Sequence, residues 1–231
     1  MDKLDYGYGL ILMYLVGGLA GNVYETCLYL VKRRKFVYSN GSVTTPFNFV
    51  YGIGAVAICL GLIGLKDDPF WVFAVGALLG GAVEYAISFA EEKILHTRSW
   101  NYNYMKFNIN GRTALLPMIV WGLLSMLVLY CVYLPIDNFI VQRFFTDTAA
   151  HARVYHTALT IIIIYCATDL AFTVTTVLRY RQRKDGVAAT NGYARFLDKV
   201  FNDAYMQKHF ENTKFDQPEK EINAEFEKTA A

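Results

Sequence analysis

The sequence predicts an all-α integral membrane protein with five transmembrane helices. They form two hairpins that repeat one another in parallel, plus one further helix, and an amphipathic cytoplasmic tail helix follows. Three observations predict this. Of 231 residues, 55% are hydrophobic and only 18% charged, below the roughly 25% of soluble domains. The charges are partitioned: the first 178 residues carry 12 basic and 11 acidic side chains, the last 53 carry 10 and 9. Five apolar runs approach the length that crosses a bilayer, about 20 residues. This composition excludes an ordinary soluble domain, a disulfide-knit secreted module and a disordered chain. A net charge of +2 leaves no basic surface for nucleic acid.

The expected spans lie at about 8–31, 47–65, 70–90, 113–134 and 155–178, within a transmembrane domain of residues 1–180. The second and fourth carry no charge. The first holds Asn22 and Glu25, the third Glu84, the fifth Asp169. Span one lacks a basic leader and a small-residue cleavage site, so it is expected to remain in the mature protein. Lys and Arg in short loops set orientation. Twelve of them follow spans one, three and five, and only Lys3, Lys66, Arg143 and Arg153 sit opposite. The N-terminus is therefore expected outside and the C-terminus in the cytoplasm, across a bacterial inner membrane.

Residues 181–215 read as a cytoplasmic tail. Asn191 can cap a helix from Gly192 to Phe210, with Leu197, Val200, Phe201 and Ala204 as its apolar stripe. Such a helix is expected on the membrane surface or on the cytoplasmic loops. Residues 216–231 are polar and expected to be disordered.

The first four spans look like two copies of one hairpin. Gly17, Gly21 and Glu25 are spaced four apart, as are Gly76, Gly80 and Glu84, so each set shares a helix face. Lys35-Phe36 and Asn40-Gly41 follow the first stripe; Lys106-Phe107 and Asn110-Gly111 follow the second. Ten residues past the loop glycines stand Tyr51-Gly52 and Trp121-Gly122. Parallel repeats relate by an axis along the membrane normal, and transporters commonly place substrate at the repeat interface. Glycine stripes let helices approach closely, so spans one and three are expected to meet.

The two carboxylates lie at matched depth near the cytoplasmic ends of their spans. A carboxylate there is costly unless paired, protonated or wetted. The expected substrate-binding set is Glu25, Glu84, Asn22, Arg98, Trp100, Asn110 and Arg112, with Arg98, Arg112 and Asn22 as partners for the acids. Asp169 lies mid-span and is expected to bond a Thr or Tyr of a neighbouring helix. Cys27, Cys59, Cys131 and Cys166 all fall inside spans and read as small apolar core residues. His151 and His156 are off the spacing of a helical zinc pair. No metal and no cofactor is expected, and no catalytic residue is assigned.

Ordered blocks extend this picture. They are Gly21-Asn22-Val23-Tyr24-Glu25, Pro46, Tyr51-Gly52-Ile53-Gly54, Glu84-Tyr85, Glu92-Lys93, Trp100-Asn101-Tyr102, Phe107 to Arg112, and Trp121-Gly122, with Asp169 in span five. On these blocks the stretch from Gly21 to Leu134 resembles the CmpB-like family of bacterial ABC-transporter permeases. The first loop departs from the family pattern at Asn40, Thr45 and Phe49. The resemblance implies a transport component. The chain has no G-x-x-x-x-G-K-[ST] motif, so an ABC role needs a separate ATPase subunit. The expected partners are the lipid bilayer and either that subunit or further copies of the chain. Two other readings stay open: an integral-membrane enzyme acting on lipid headgroups at the cytoplasmic face, and a non-catalytic membrane partner.

Overall fold

A computed structural model describes residues 3–37, 41–136, 149–211 and 213–215. The expected disorder of 216–231, Asn40 of the first Asn-Gly pair and Arg143 lie outside the described residues. The protein is an all-α membrane protein, with four helices long and apolar enough to cross a bilayer and one shorter apolar helix.

Helix α1 spans Lys3–Arg33 and α2 spans Phe49–Leu62, continued by a 3-10 turn Ile63–Leu65. Helix α2 starts later than the apolar run because Asn48 ends the extended loop and caps it, accepting the Val50 N–H at 3.0 Å. An N-cap side chain satisfies a backbone donor that the helix leaves free. Asp68 does the same for α3 (Pro69–Ala90), with Pro69 at its first position. Helix α3 runs on into a wide π turn, Glu91–Leu95.

Two-residue strands β1 (Thr97–Arg98), β2 (Asn108–Ile109) and β3 (Thr113–Ala114) shape the second loop. Strand β2 pairs antiparallel with β3, so Thr113 and Ala114 belong to the loop rather than to the fourth span. Helix α4 begins at Leu115–Met126 and continues through π turns Leu127–Tyr133 to a last turn, Leu134–Ile136. Helix α5 covers Ala149–Lys184.

Helix α1 packs on α2 and α3 on α4, and the hairpins join through α2 against α3. Met13, Ile58, Leu62, Leu129 and Tyr133 form the core between them. Much of the rest faces outward: Val23, Leu60, Leu78, Leu116, Leu123 and Ile164 are all exposed. So much apolar surface is tolerable only where the solvent is itself apolar.

The glycine stripes are used in a way the sequence reading did not anticipate. They admit the hairpin partner rather than each other. A Cβ at Gly17 would stand 2.6 Å from Ala55, and one at Gly76 would stand 2.5 Å from Ser125. Gly21 lies against the Tyr51 ring and Gly80 against Trp121. Tyr51 and Trp121 stack on one another, with ring centroids 6.1 Å apart. The expected direct meeting of spans one and three is thus replaced by two aromatic rings from α2 and α4.

Beyond α5 the tail forms two helices, α6 (Gly192–Val200) and α7 (Asp203–His209), where one was expected. The break has a local cause. Phe201 leaves the helical region (φ −110, ψ 63), and Asn202 caps a new helix by accepting the Tyr205 N–H at 3.0 Å. Leu197, Phe201, Met206 and Phe210 pack against Val43, Val177 and Tyr180, which seats the tail on the first loop and the end of α5. Strand β4 (Lys214–Phe215) pairs with β1, tying the tail to the second loop as well.

An ion-pair network fastens these tail helices. Arg179, 5% exposed, donates to both Asp198 oxygens at 2.9 and 2.8 Å. Arg183 donates to Asp198 and Asp203 at 2.7 Å each, and to the Phe201 carbonyl. The hydrogen bonds from Arg179 hold the Asp198 carboxyl down to about 2. A depressed folded-state value stabilises docking above the ordinary carboxylate range, and that stabilisation is lost as pH falls through about 2. The Asp198→Asn variant should weaken tail docking by about 2 kcal/mol at neutral pH, the worth of charge-assisted hydrogen bonds. Amide exchange of residues 192–209 should report this as faster exchange; unchanged protection would contradict it.

Candidate functional site

Glu84 occupies the centre of the best-built polar cluster. It stands one turn beyond Gly80 on α3 and is 7% exposed. Its carboxylate accepts from the Tyr102 hydroxyl at 2.9 Å and from Thr113 Oγ1 at 3.0 Å. None of these donors carries a charge. Expected cation partners are absent from it: Arg98 and Arg112 both turn to Glu92, at 2.6 and 2.8 Å. The reason is reach. The wide turn after α3 brings Glu92 back beneath the loop, while Arg112 donates to the Ser88 carbonyl and lies over the Phe89 ring. Two buried guanidiniums thus share one carboxylate.

The second loop holds this cluster by its own hydrogen bonds. Trp100 Nε1 donates to the Arg112 carbonyl at 2.9 Å, and the Tyr102 N–H donates to the Gly111 carbonyl at 2.8 Å. Gly111 has φ +67, and the Asn101 and Asn103 side chains fill the space a Cβ would need. Only glycine fits a left-handed, crowded position of this kind. Asn110, also left-handed at φ 53, is exposed and donates to the Tyr85 hydroxyl at 3.1 Å.

Glu25 lies half-buried on the other hairpin. Asn48 Nδ2 donates to it at 3.2 Å, so one side chain both caps α2 and holds the acid. Asn22 does not reach the carboxylates; its amide donates to the Pro46 carbonyl at 2.8 Å. The seven expected site residues therefore fall into two groups. Glu25 and Asn22 sit with the first loop, and Glu84, Arg98, Trp100, Asn110 and Arg112 sit with the second. Tyr51 lies between them, close enough to interact electrostatically with both Glu25 and Glu84.

Asp169 is buried at 7% exposure. It takes Ser42 Oγ at 2.7 Å, Thr45 Oγ1 at 3.0 Å and the Thr44 hydroxyl. Its partners come from the first loop rather than from a neighbouring helix. Ser42, Thr44 and Thr45 also line a cavity of about 470 Å³ between α1, the first loop and α7.

Tyr102, Thr113, Asn48 and Glu92 are site residues that sequence reasoning passed over. Tyr102 and Glu92 stand inside the ordered blocks quoted above, and Asn48 directly precedes an apolar helix, which is a cap signal. Thr113 carried no signal of its own.

The arrangement of Gly-Glu stripes, loop and paired hairpins spans the region that the family described as "Putative ABC-transporter type IV" matches, residues 12–174, more than half the chain. The chain belongs to that family. Its membership and its apolar helices fit a membrane transport component. No curated protein and no solved structure matches the chain. The family match takes in most of α1, all of α2 to α4 and most of α5, and ends before the Arg179 network and the tail helices.

Proposed function

We propose that this member of the ABC-transporter type IV family is the permease-like membrane component of a transport assembly. Its working site is the polar cluster at Glu84, on the cytoplasmic side, with Glu25 in the matching position of the other hairpin. The observation that carries the reading is Glu84 itself: a buried carboxylate in a membrane helix, held by the neutral donors Tyr102 and Thr113 while both nearby arginines are taken by Glu92. Ionisable groups inside membrane helices mark substrate and ion pathways by default. A structural ion pair would have put an arginine on Glu84.

The reading of two repeated hairpins is supported by matched packing. Gly17 meets Ala55 as Gly76 meets Ser125, and Gly21 meets Tyr51 as Gly80 meets Trp121. The stack of Tyr51 on Trp121 suits residues close to a two-fold axis. The orientation is N-terminus outside and C-terminus cytoplasmic in a bacterial inner membrane, with residues 1–180 as the transmembrane domain and 181–215 as a cytoplasmic tail. The basic loop residues support that sidedness.

Energy comes from a separate ATPase subunit, because the chain has no phosphate-binding loop of its own. The test is purification of the tagged chain from its native membrane in mild detergent. A subunit with a G-x-x-x-x-G-K-[ST] motif is expected to copurify. Recovery of the chain free of any such subunit, after crosslinking in intact cells, would count against the proposal.

A further inference from the structure

We propose that Asp169, Thr44 and Thr45 form a binding site for a monovalent cation of sodium size, entered from the cavity beside the first loop. The inference is independent of the Glu84 reading. It starts from an uncompensated charge. Asp169 is 7% exposed and sits inside the membrane-length segment Thr160–Lys184. Its hydrogen bonds come from three neutral hydroxyls, and among the described residues no Lys, Arg or His forms an ion pair with it. A buried carboxylate is costly unless it is paired, protonated or wetted, and a bound cation would pair it.

The available ligands are all oxygen. Carboxylate and hydroxyl oxygens suit hard cations and discriminate against metals that prefer nitrogen or sulfur. With a single carboxylate, a monovalent ion gives a neutral site, whereas a divalent ion would leave a net charge in the membrane. Thr44 Oγ1 and Thr45 Oγ1 flank the two Asp169 oxygens and keep lone pairs to offer. Ser42 has a different task. Its Oγ accepts the Thr44 and Thr45 N–H groups at 3.0 Å each and gives its own proton to Asp169, so its capacity is filled. Ser42 is a positioning residue that folds the loop around the acid.

The backbone here is also of the right kind. Residues 41–47 are non-helical, yet they reach the interior of α5, and the Val43 N–H is held by Thr173 Oγ1 at 3.2 Å. Irregular backbone at membrane depth is tolerated where it is buried or lines a cavity, and unwound segments in transporters coordinate sodium. The cavity of about 470 Å³ is lined by Thr44 and Thr45, which gives the ion a path and room for water to complete its shell. Lys208 and His209 also line it, and His209 Nε2 lies 2.9 Å from the Ser42 carbonyl oxygen. Burial lowers His209 below the ordinary imidazole range.

The experiment is thermal unfolding of the purified full-length chain in detergent, in NaCl, choline chloride or CaCl₂ at equal ionic strength. NaCl at about 150 mM should raise the melting temperature by about 3 °C or more over choline chloride, and the effect should saturate. Asp169→Asn should abolish the sodium response. Thr45→Val, nearly isosteric, should weaken the apparent sodium affinity by about threefold or more while the protein still melts cooperatively in choline chloride. If Asp169→Asn fails to fold, the wild-type titration and Thr45→Val decide. Equal melting in NaCl and choline chloride would overturn the site. So would an unchanged sodium response in Thr45→Val, or stabilisation by CaCl₂ without any by NaCl.

Discussion

Glu84→Gln should abolish transport while the protein still folds and inserts. Gln keeps the shape of Glu; Tyr102 and Thr113 bond different carboxylate oxygens, so one hydroxyl keeps a carbonyl acceptor and the other can turn to accept from the amide NH2. Folding stability should therefore change by no more than about 1 kcal/mol. What disappears is the charge and the ability to exchange a proton or hold a cation. A loss of at least about tenfold in rate, equal to roughly 1.4 kcal/mol, is the expected size. Glu84→Ala should behave differently. It leaves the buried Thr113 hydroxyl and the half-buried Tyr102 hydroxyl without an acceptor, at a cost of about 1–3 kcal/mol for the buried one. Glu25→Gln should be milder than Glu84→Gln, because Glu25 is half-buried and held by Asn48. The pair of measurements, transport rate and detergent melting temperature, separates a working acid from a structural one. Identical rates and melting temperatures for both Gln variants and the wild type would remove Glu84 from the site.

Gly80→Val should produce a large loss of stability. A side chain at Gly80 would run into the Cβ and ring of Trp121, which is itself 7% exposed and stacked on Tyr51. Overpacking a core costs about 1–3 kcal/mol even where side chains can shift. Here the obstacle includes the Trp121 Cβ, which no rotamer change can move aside, so the cost should lie towards the top of that range. Gly21→Val, against the Tyr51 ring, should come close to it. Gly64→Val is a useful control, since nothing lies within 4 Å of its would-be Cβ. Its melting temperature should stay near that of the wild type. Equal melting for Gly80→Val and Gly64→Val would contradict the packing described for α3 and α4.

Much of this was legible from the sequence, and the remainder was hidden for physical reasons. Apolar run length locates the five apolar helices, because the bilayer sets a fixed length, but four of them reach that length and α2 is shorter. A spacing of four places Gly17, Gly21 and Glu25 on one face, as it does Gly76, Gly80 and Glu84. Periodicity does not say what that face meets, so the rings of Tyr51 and Trp121 were not foreseen between α1 and α3. Arg98 and Arg112 are the nearest cations in sequence to the intramembrane acids, whereas the π turn after Ala90 delivers Glu92 to them instead. Thr44, Thr45 and Asp169 stand more than a hundred residues apart in sequence, and only long-range packing joins them. The tail break at Phe201 was within reach, since Asn202 is a cap residue ahead of Asp203. The apolar stripe through Val200 and Phe201 hid it.

The most direct test is the ATP hydrolysis rate of the copurified assembly in proteoliposomes, wild type against Glu84→Gln. If the chain is the permease-like component and Glu84 its working acid, an ATPase subunit is present in both preparations and the variant hydrolyses ATP at least about tenfold more slowly. An intact assembly whose hydrolysis rate is the same with Glu84→Gln would contradict that role.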